Sequence, residues 1–216
     1  SMDMPMIAAE WKKRKVSFDG IYTGYLSGVS QVEWVEQFMQ EFANPQTKIF
    51  VDPVLGDEGV YYRGFGDEMC QAMKKLCGKA NLTEVLFLLG KKAELKAESQ
   101  DLEQVRRYAK QLSRLGPETV IITGVSQREK IWNIGYSAKE DSFFEVSTRK
   151  IGEGYSGTGD ILTSVICGCM IKGESPQKAL KKAAAFLQAS IEEAVEDKTD
   201  PNEGVAFEHH LSLLFD

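Results

Sequence analysis

Gly154-Tyr155-Ser156-Gly157-Thr158-Gly159-Asp160 follows a β-rich run and opens directly into the apolar stretch Ile161-Leu162-Thr163-Ser164-Val165-Ile166. A glycine turn that enters a helix leaves backbone N–H groups without intrahelical acceptors and aims the positive end of the helix dipole at one point. That geometry makes an anion site. Asp160 adds a carboxylate in the first helical turn, where a site that only held phosphate would gain nothing from it. A site that must take a proton from an attacking hydroxyl would gain. The stretch therefore reads as phosphoryl-transfer machinery, with Asp160 as general base and Gly157, Thr158 and Gly159 as anion hole.

Working outward, the chain alternates strand and helix patterns. Phe18–Leu26 and Lys48–Leu55 read as buried strands. Between them Val32, Val35, Phe38, Met39 and Phe42 recur at helical spacing. Helices are expected over 6–15, 66–77 and 102–115, and a strand over 119–124. Near-continuous apolar strands alternating with amphipathic helices predict a mostly parallel sheet covered on both faces. Lys130–Ser137 and Ser142–Lys150 read as an antiparallel hairpin at the sheet edge. After the glycine turn a helix runs to about Ile171. A second begins at Pro176, capped by Ser175, and carries Ala179, Leu180, Ala183, Phe186, Leu187, Ile191 and Ala194 on its buried face. Residues 197–204 read as a polar loop and 205–215 as a short closing helix. No linker divides the chain, so residues 1–216 are expected to form one domain.

The net charge of -6 and pI near 5.2 argue against a nucleic-acid or anionic-membrane binder. No apolar run reaches the roughly 20 residues of a membrane helix. Four cysteines in 216 residues do not make a disulfide scaffold, so a reducing, cytoplasmic setting is expected, with Cys167 and Cys169 buried in a helix. His209 and His210 read as surface or helix-face residues.

Polar groups gather where strands are expected to end: Asp52 with Asp57, Asn81 with Glu84, Thr123-Gly124, and the 157–160 turn. Each has a bland reading. Asp52 before proline can cap a turn, and Asn81 with Glu84 matches a capping box. Together, carboxylates and an amide oxygen can hold Mg²⁺, partly through water, while the Thr123 hydroxyl and glycine amides face phosphate oxygens. No Gly-x-x-x-x-Gly-Lys-Ser/Thr loop occurs, and no Gly-x-Gly-x-x-Gly follows a first strand.

Gly157-Thr158-Gly159-Asp160 entering a helix resembles the signature of the ribokinase-like small-molecule kinases. Tyr25 in Thr-Gly-Tyr-Leu, Val-Asp-Pro-Val-Leu-Gly-Asp at 51–57, Gly59 with Tyr62, Asn-Leu-Thr-Glu at 81–84 and Thr123-Gly124 follow the order of the pyridoxal kinases. The C-terminal Asp-Pro-Asn-Glu-Gly-Val-Ala-Phe-Glu resembles their bacterial branch. The resemblance implies a ribokinase-like three-layer α/β sandwich and ATP-dependent phosphorylation of the 5′-hydroxymethyl group of pyridoxal, pyridoxine or pyridoxamine. By the same resemblance Asp160 deprotonates that hydroxyl, and Asp52, Asp57 and Glu84 arrange Mg²⁺ or a monovalent cation such as K⁺. Asn81, Thr123, Gly124 and Tyr62 contact ATP, Tyr25 lies by the pyridine ring, and the protein is a homodimer.

Two features depart from that pattern. The family's N-terminal strand and helix, which form much of the acceptor pocket, do not precede Ser1. Residues 76–80 run from a helix to Asn81 with no room for the family's apolar strand. Either segments of a longer protein are missing or the chain is a shortened relative that keeps a nucleotide site without activity. Among enzymes, a hydroxymethylpyrimidine or sugar kinase of the same superfamily shares the phosphate machinery and differs in the acceptor pocket.

Overall fold

The computed structural model describes residues 3–57, 60–77, 80–81, 101–152 and 154–215. In chain order the elements are α1 (Asp3–Lys13), β1 (Gly20–Thr23), α2 (Val29–Phe42), β2 (Lys48–Val51), β3 (Gly56–Asp57), β4 (Val60–Tyr61), α3 (Asp67–Met73) and β5 (Ala80–Asn81). They continue with α4 (Leu102–Ser113), β6 (Thr119–Gln127), β7 (Lys130–Ser137), β8 (Ser142–Arg149), α5 (Thr158–Ile171) and α6 (Pro176–Glu196). Short 3₁₀ turns at Lys74–Leu76 and Pro201–Glu203, and a longer one at Phe207–Leu214, complete the described elements.

The layering follows from side-chain alternation along β6. Val120 and Ile122 enter a core built with α2, α3 and α4 through Val32, Val35, Met73, Tyr108 and Leu112. Ile121, pointing the other way, joins Leu162 and Ile166 of α5 and Ala179, Leu180 and Ala183 of α6. Successive residues of a strand face opposite sides, so one apolar strand supplies both cores. This is the three-layer α/β/α sandwich expected from the sequence.

Among the described residues the hydrogen-bonded ladders form three groups. β1 pairs with β2 in parallel, β3 with β4 antiparallel, and β5–β6–β7–β8 form one sheet. Within that sheet only β5–β6 is parallel, since β6, β7 and β8 form an antiparallel meander. The hairpin expected from the sequence is thus the outer part of a three-stranded run, because β6 continues past Gly124 to Gln127 before turning back. Among the described residues β5 spans Ala80 and Asn81, paired with Ile122 and Thr123. Beside it a cleft of about 570 Å³ opens between β2 and the start of β6, lined by Phe50, Val51, Thr119 and Ile121.

Element ends have local causes. β2 stops at Val51 because Pro53, two residues on, has no N–H to give a ladder. Asp101 caps α4 through the Glu103 amide, and Ser175 accepts from Lys178 N at 3.3 Å with Pro176 at the first helical position, as expected for α6. Cys70, Cys167 and Cys169 are buried, and none of the four cysteines is in a disulfide. Burial pushes the Cys77 thiol up to about 11, so it stays protonated at neutral pH. No described helix is long and apolar enough to cross a membrane.

Candidate functional site

The site is organised by the N-terminus of α5. Gly157 is its N-cap with φ 78°, a left-handed conformation that a residue with a Cβ adopts only with strain, so glycine is required for the strand-to-helix turn. Ser156 N donates to Pro201 O at 2.9 Å, and Thr158 Oγ1 donates to Tyr155 O at 2.9 Å, which fixes the approach of the chain. The first turn then presents the N–H groups that helix geometry leaves without intrahelical acceptors.

Helical spacing sends the next residues to two flanks. Gly159 and Leu162, three apart, line a cavity of about 290 Å³, together with Thr158. Asp160 and Thr163, also three apart, turn toward the ends of β1 and β2. There Tyr22 OH donates to Asp160 Oδ1 at 3.3 Å, and Thr163 Oγ1 lies 3.4 Å from Asp52 Oδ2 and donates to Gly159 O at 2.9 Å. Asp52 is only 7% exposed, and its backbone N–H donates to Thr23 O at 2.9 Å. Burial, followed by the charges of Asp52 and Asp160, pushes the Tyr22 phenol well above its ordinary value, so Tyr22 remains a hydrogen-bond donor. Thr23 is buried on the opposite face of β1, and its Oγ1 has no hydrogen-bond partner among the described residues.

The cavity on the other flank collects Thr123 and Gly124 of β6, Tyr155 and the Thr158–Gly159 turn. Leu187 and Ile191 of α6 and Ile131 of β7 form apolar walls. Arg149 and Lys150 also border it, with Lys150 Nζ 3.1 Å from Ser126 Oγ. Apolar walls, a few neutral donors, a cationic border and a helix N-terminus suit an anionic ligand that carries a flat apolar part.

Of the residues singled out from sequence, the structure brings Thr123, Gly124, Thr158 and Gly159 into this cavity and sets Asp160 beside Tyr22 on the other side of the same helical turn. Asn81 lies next to Thr123 in the β5–β6 register. Asp57 pairs with Val60 across the β3–β4 hairpin, and the Asn81 and Asp57 side chains lie outside the described ones. Glu84 and Gly59 lie outside the described residues. Tyr62 follows that hairpin, 40% exposed, with its N–H on Leu55 O at 3.0 Å. Tyr25 is 59% exposed and stacks on Phe65, ring centroids 5.5 Å apart. Among the described residues no group of three His, Cys, Asp or Glu side chains converges on a metal position. Asp52 alone of the expected metal-side carboxylates is described, and its buried place beneath the turn fits an ordering role toward a cation held with partners from other segments.

Sequence reasoning passed over Tyr22, Thr23 and the α6 wall. Thr23 opens the Thr-Gly-Tyr-Leu motif read only for Tyr25, and Tyr22 directly precedes it. Their signal was strand alternation, which sends adjacent residues to the two faces at a strand end. Leu187 and Ile191 were read as buried face and nothing more, since an apolar helix stripe looks the same whether it meets a sheet or a ligand.

The profile of the phosphomethylpyrimidine kinase family matches residues 5–204. A pyridoxal kinase of Arabidopsis thaliana is 28% identical over 186 residues, covering 82% of this chain and 59% of its own length. The chain thus spans about three fifths of that curated relative. A candidate phosphomethylpyrimidine kinase of Bacteroides thetaiotaomicron superposes with a TM-score of 0.92 at 36% identity, over 97% of this chain and 73% of that one. A second crystal form under the same description, solved with pyridoxal, superposes at 0.89 and 35% identity, over 98% of this chain and 76% of that one. With a family profile running from residue 5 to residue 204 and the sandwich fold in common, the chain belongs to the phosphomethylpyrimidine kinase family.

Proposed function

We propose that this chain carries out ATP-dependent phosphorylation of the 5′-hydroxymethyl group of a B6 vitamer, pyridoxal, pyridoxine or pyridoxamine, and so serves vitamin B6 salvage. The observation that carries the reading is the position of Asp160. It sits in the first turn of α5, between a nucleotide-compatible cavity on one flank and the strand-end cluster of Tyr22, Asp52 and Thr163 on the other. A base that must meet a hydroxyl and the terminal phosphate of ATP at once has to stand at such a boundary.

In this reading the acceptor hydroxyl gives its proton to Asp160 as its oxygen attacks the γ-phosphorus, the bond to the β–γ bridging oxygen breaks, and ADP leaves. The amides at Gly157, Thr158 and Gly159 stabilise the charge on the transferring group. Thr123, Gly124, Asn81 and Tyr62 contact ATP, and Tyr25 lies by the acceptor ring. Asp52, Asp57 and Glu84 would hold Mg²⁺, with K⁺ as an accessory cation. When bound, Mg²⁺ neutralises polyphosphate charge. The carboxylate of Asp160 then stands beside the nucleotide without prohibitive repulsion. The working protein is a cytoplasmic homodimer.

A second reading, a hydroxymethylpyrimidine kinase, is favoured by the description of the matching family profile. It uses the same phosphate machinery and another ring. The B6 reading is supported by the pyridoxal kinase of Arabidopsis and by the Bacteroides structure solved with pyridoxal. A panel of alcohols incubated with the intact protein and γ-labelled ATP separates the two. Label on a B6 vitamer is expected. Label on hydroxymethylpyrimidine with none on any vitamer would replace the first reading by the second.

A further inference from the structure

β6 carries an irregularity at the cavity. Ile122 faces Ile134 and Val125 faces Trp132, so Thr123 and Gly124 together stand opposite the single residue Asn133. Two residues against one make a β-bulge, and Gly124 meets its backbone demand with φ 75°. Asn133 closes the bulge from within: Gly124 N–H donates to Asn133 Oδ1 at 3.1 Å, from a side chain in a residue only 5% exposed. Accepting through oxygen fixes the orientation of the amide and leaves Nδ2 as its other end. Among the described residues no acceptor is paired with that nitrogen, and it is not among the sealed, unpartnered atoms. Asn133 lines the cavity beside Thr123 and Gly124, so the accessible space that Nδ2 meets is the cavity itself.

We propose that Asn133 is a two-ended positioning residue of the nucleotide site, its Oδ1 locking the Thr123–Gly124 bulge and its Nδ2 donating to an acceptor atom of the adenosine part of the nucleotide. The inference rests on the reading of this cavity as the ATP site. Apolar neighbours explain why the adenosine part is the partner: Ile131, Leu162 and Ile191 suit a flat ring and exclude the water that would otherwise satisfy the amide. An acceptor that merely closed the bulge would not need to be an amide, since a carboxylate also accepts from Gly124 N–H.

That difference supplies the test. Asn133→Asp keeps the acceptor and removes the donor, whereas Asn133→Ala removes both. The proposal expects Asn133→Asp to melt within a few degrees of the parent and Asn133→Ala to melt lower. It expects both to bind the ATP analogue AMP-PNP about tenfold more weakly. Adenosine, which has no phosphate to be repelled by the new carboxylate, should lose affinity for Asn133→Asp by a similar factor. Should either variant fail to fold, the parent protein still decides. Its Asn133 side-chain NH₂ and Gly124 amide NMR signals should both shift on titration with AMP-PNP. Parent-like adenosine affinity in a folded Asn133→Asp, or an unmoved Asn133 NH₂ signal in a parent that binds AMP-PNP, overturns the role of Asn133 and leaves the kinase reading standing. A parent that binds no nucleotide overturns both.

Discussion

On the Asp160 flank of α5 the groups are charged or strongly polar and come from the ends of parallel strands. Asp52 lies buried against Thr163, and Tyr22 holds Asp160. On the Gly159 flank, barely one residue away in sequence, the walls are leucine and isoleucine, the inner polar groups are neutral donors and a backbone bulge, and the charged groups, Arg149 and Lys150, stand at the border. Both flanks belong to the same helical turn, with residues 160 and 163 projecting to one side and 159 and 162 to another. The contrast teaches how the labour is divided. On the proposed reading, binding a nucleoside calls for a dry, apolar cavity, whereas deprotonating a hydroxyl calls for a carboxylate held among polar neighbours, and one helix N-terminus would serve both.

Substitutions that strike one flank and spare the other test this division. The largest expected effect is on the charged flank. Asp160→Asn should lower turnover of the intact protein by about 10² to 10⁴-fold, the usual worth of a general base, measured under saturating ATP and acceptor. On the neutral flank, Gly124→Val places a β-branched residue at φ 75° and should cost about 1–2 kcal/mol of stability by denaturant titration. It should also weaken nucleotide binding while leaving the pH profile of turnover unshifted. Tyr22→Phe deletes the hydrogen bond that holds the Asp160 carboxylate in place. It should therefore lower turnover by about two- to tenfold in steady-state kinetics, with nucleotide affinity unchanged.

The smallest effect lies outside both flanks. His209 Nδ1 and His210 Nε2 reach the two oxygens of Glu193, at 2.6 and 2.7 Å, and tie the C-terminal 3₁₀ turn to α6. The hydrogen bond and charge of Glu193 raise the His209 imidazole above its ordinary value, and His209 lowers Glu193 below its own. A raised histidine stabilises fully below its unfolded value, near 6.5, and that contribution fades as pH rises through the folded value. A lowered glutamate stabilises above its unfolded value, near 4.3, and fades as pH falls through the folded one. The pair is therefore worth most between those two pH values. Its exposed site limits the effect to about one degree in melting temperature, lost on going from pH 6 to 8 and absent in Glu193→Gln.

Strand and helix alternation was readable because each element pays its own local rules. Val120-Ile121-Ile122 had to feed two cores, Ser175-Pro176 had to start a helix, and Gly157 had to adopt a left-handed turn. The Thr123-Gly124 bulge was not readable. Thr-Gly after an apolar run looks like a strand end, and only the antiparallel partner, with Asn133 set against two residues, shows that the strand continues to Gln127. Asp52, Asp160 and Thr123 were legible as candidate phosphate-site residues, because polar side chains at the ends of apolar strands stand out. The Tyr22–Asp160 pairing needed positions 138 residues apart to be brought together by tertiary structure. The cavity wall of Leu187 and Ile191 was hidden for the opposite reason, since burial against a ligand and burial against a sheet demand the same side chains.

The division between flanks is tested most directly by the affinity of Asp160→Asn for ATP, titrated calorimetrically beside the parent protein. If binding belongs to the neutral cavity and proton transfer to the carboxylate, the variant should bind ATP as tightly as the parent, or slightly tighter for want of a repelling charge, while its turnover collapses. An ATP affinity that falls in step with turnover would contradict the account, because Asp160 would then be holding the nucleotide site together and not acting as its neighbouring base.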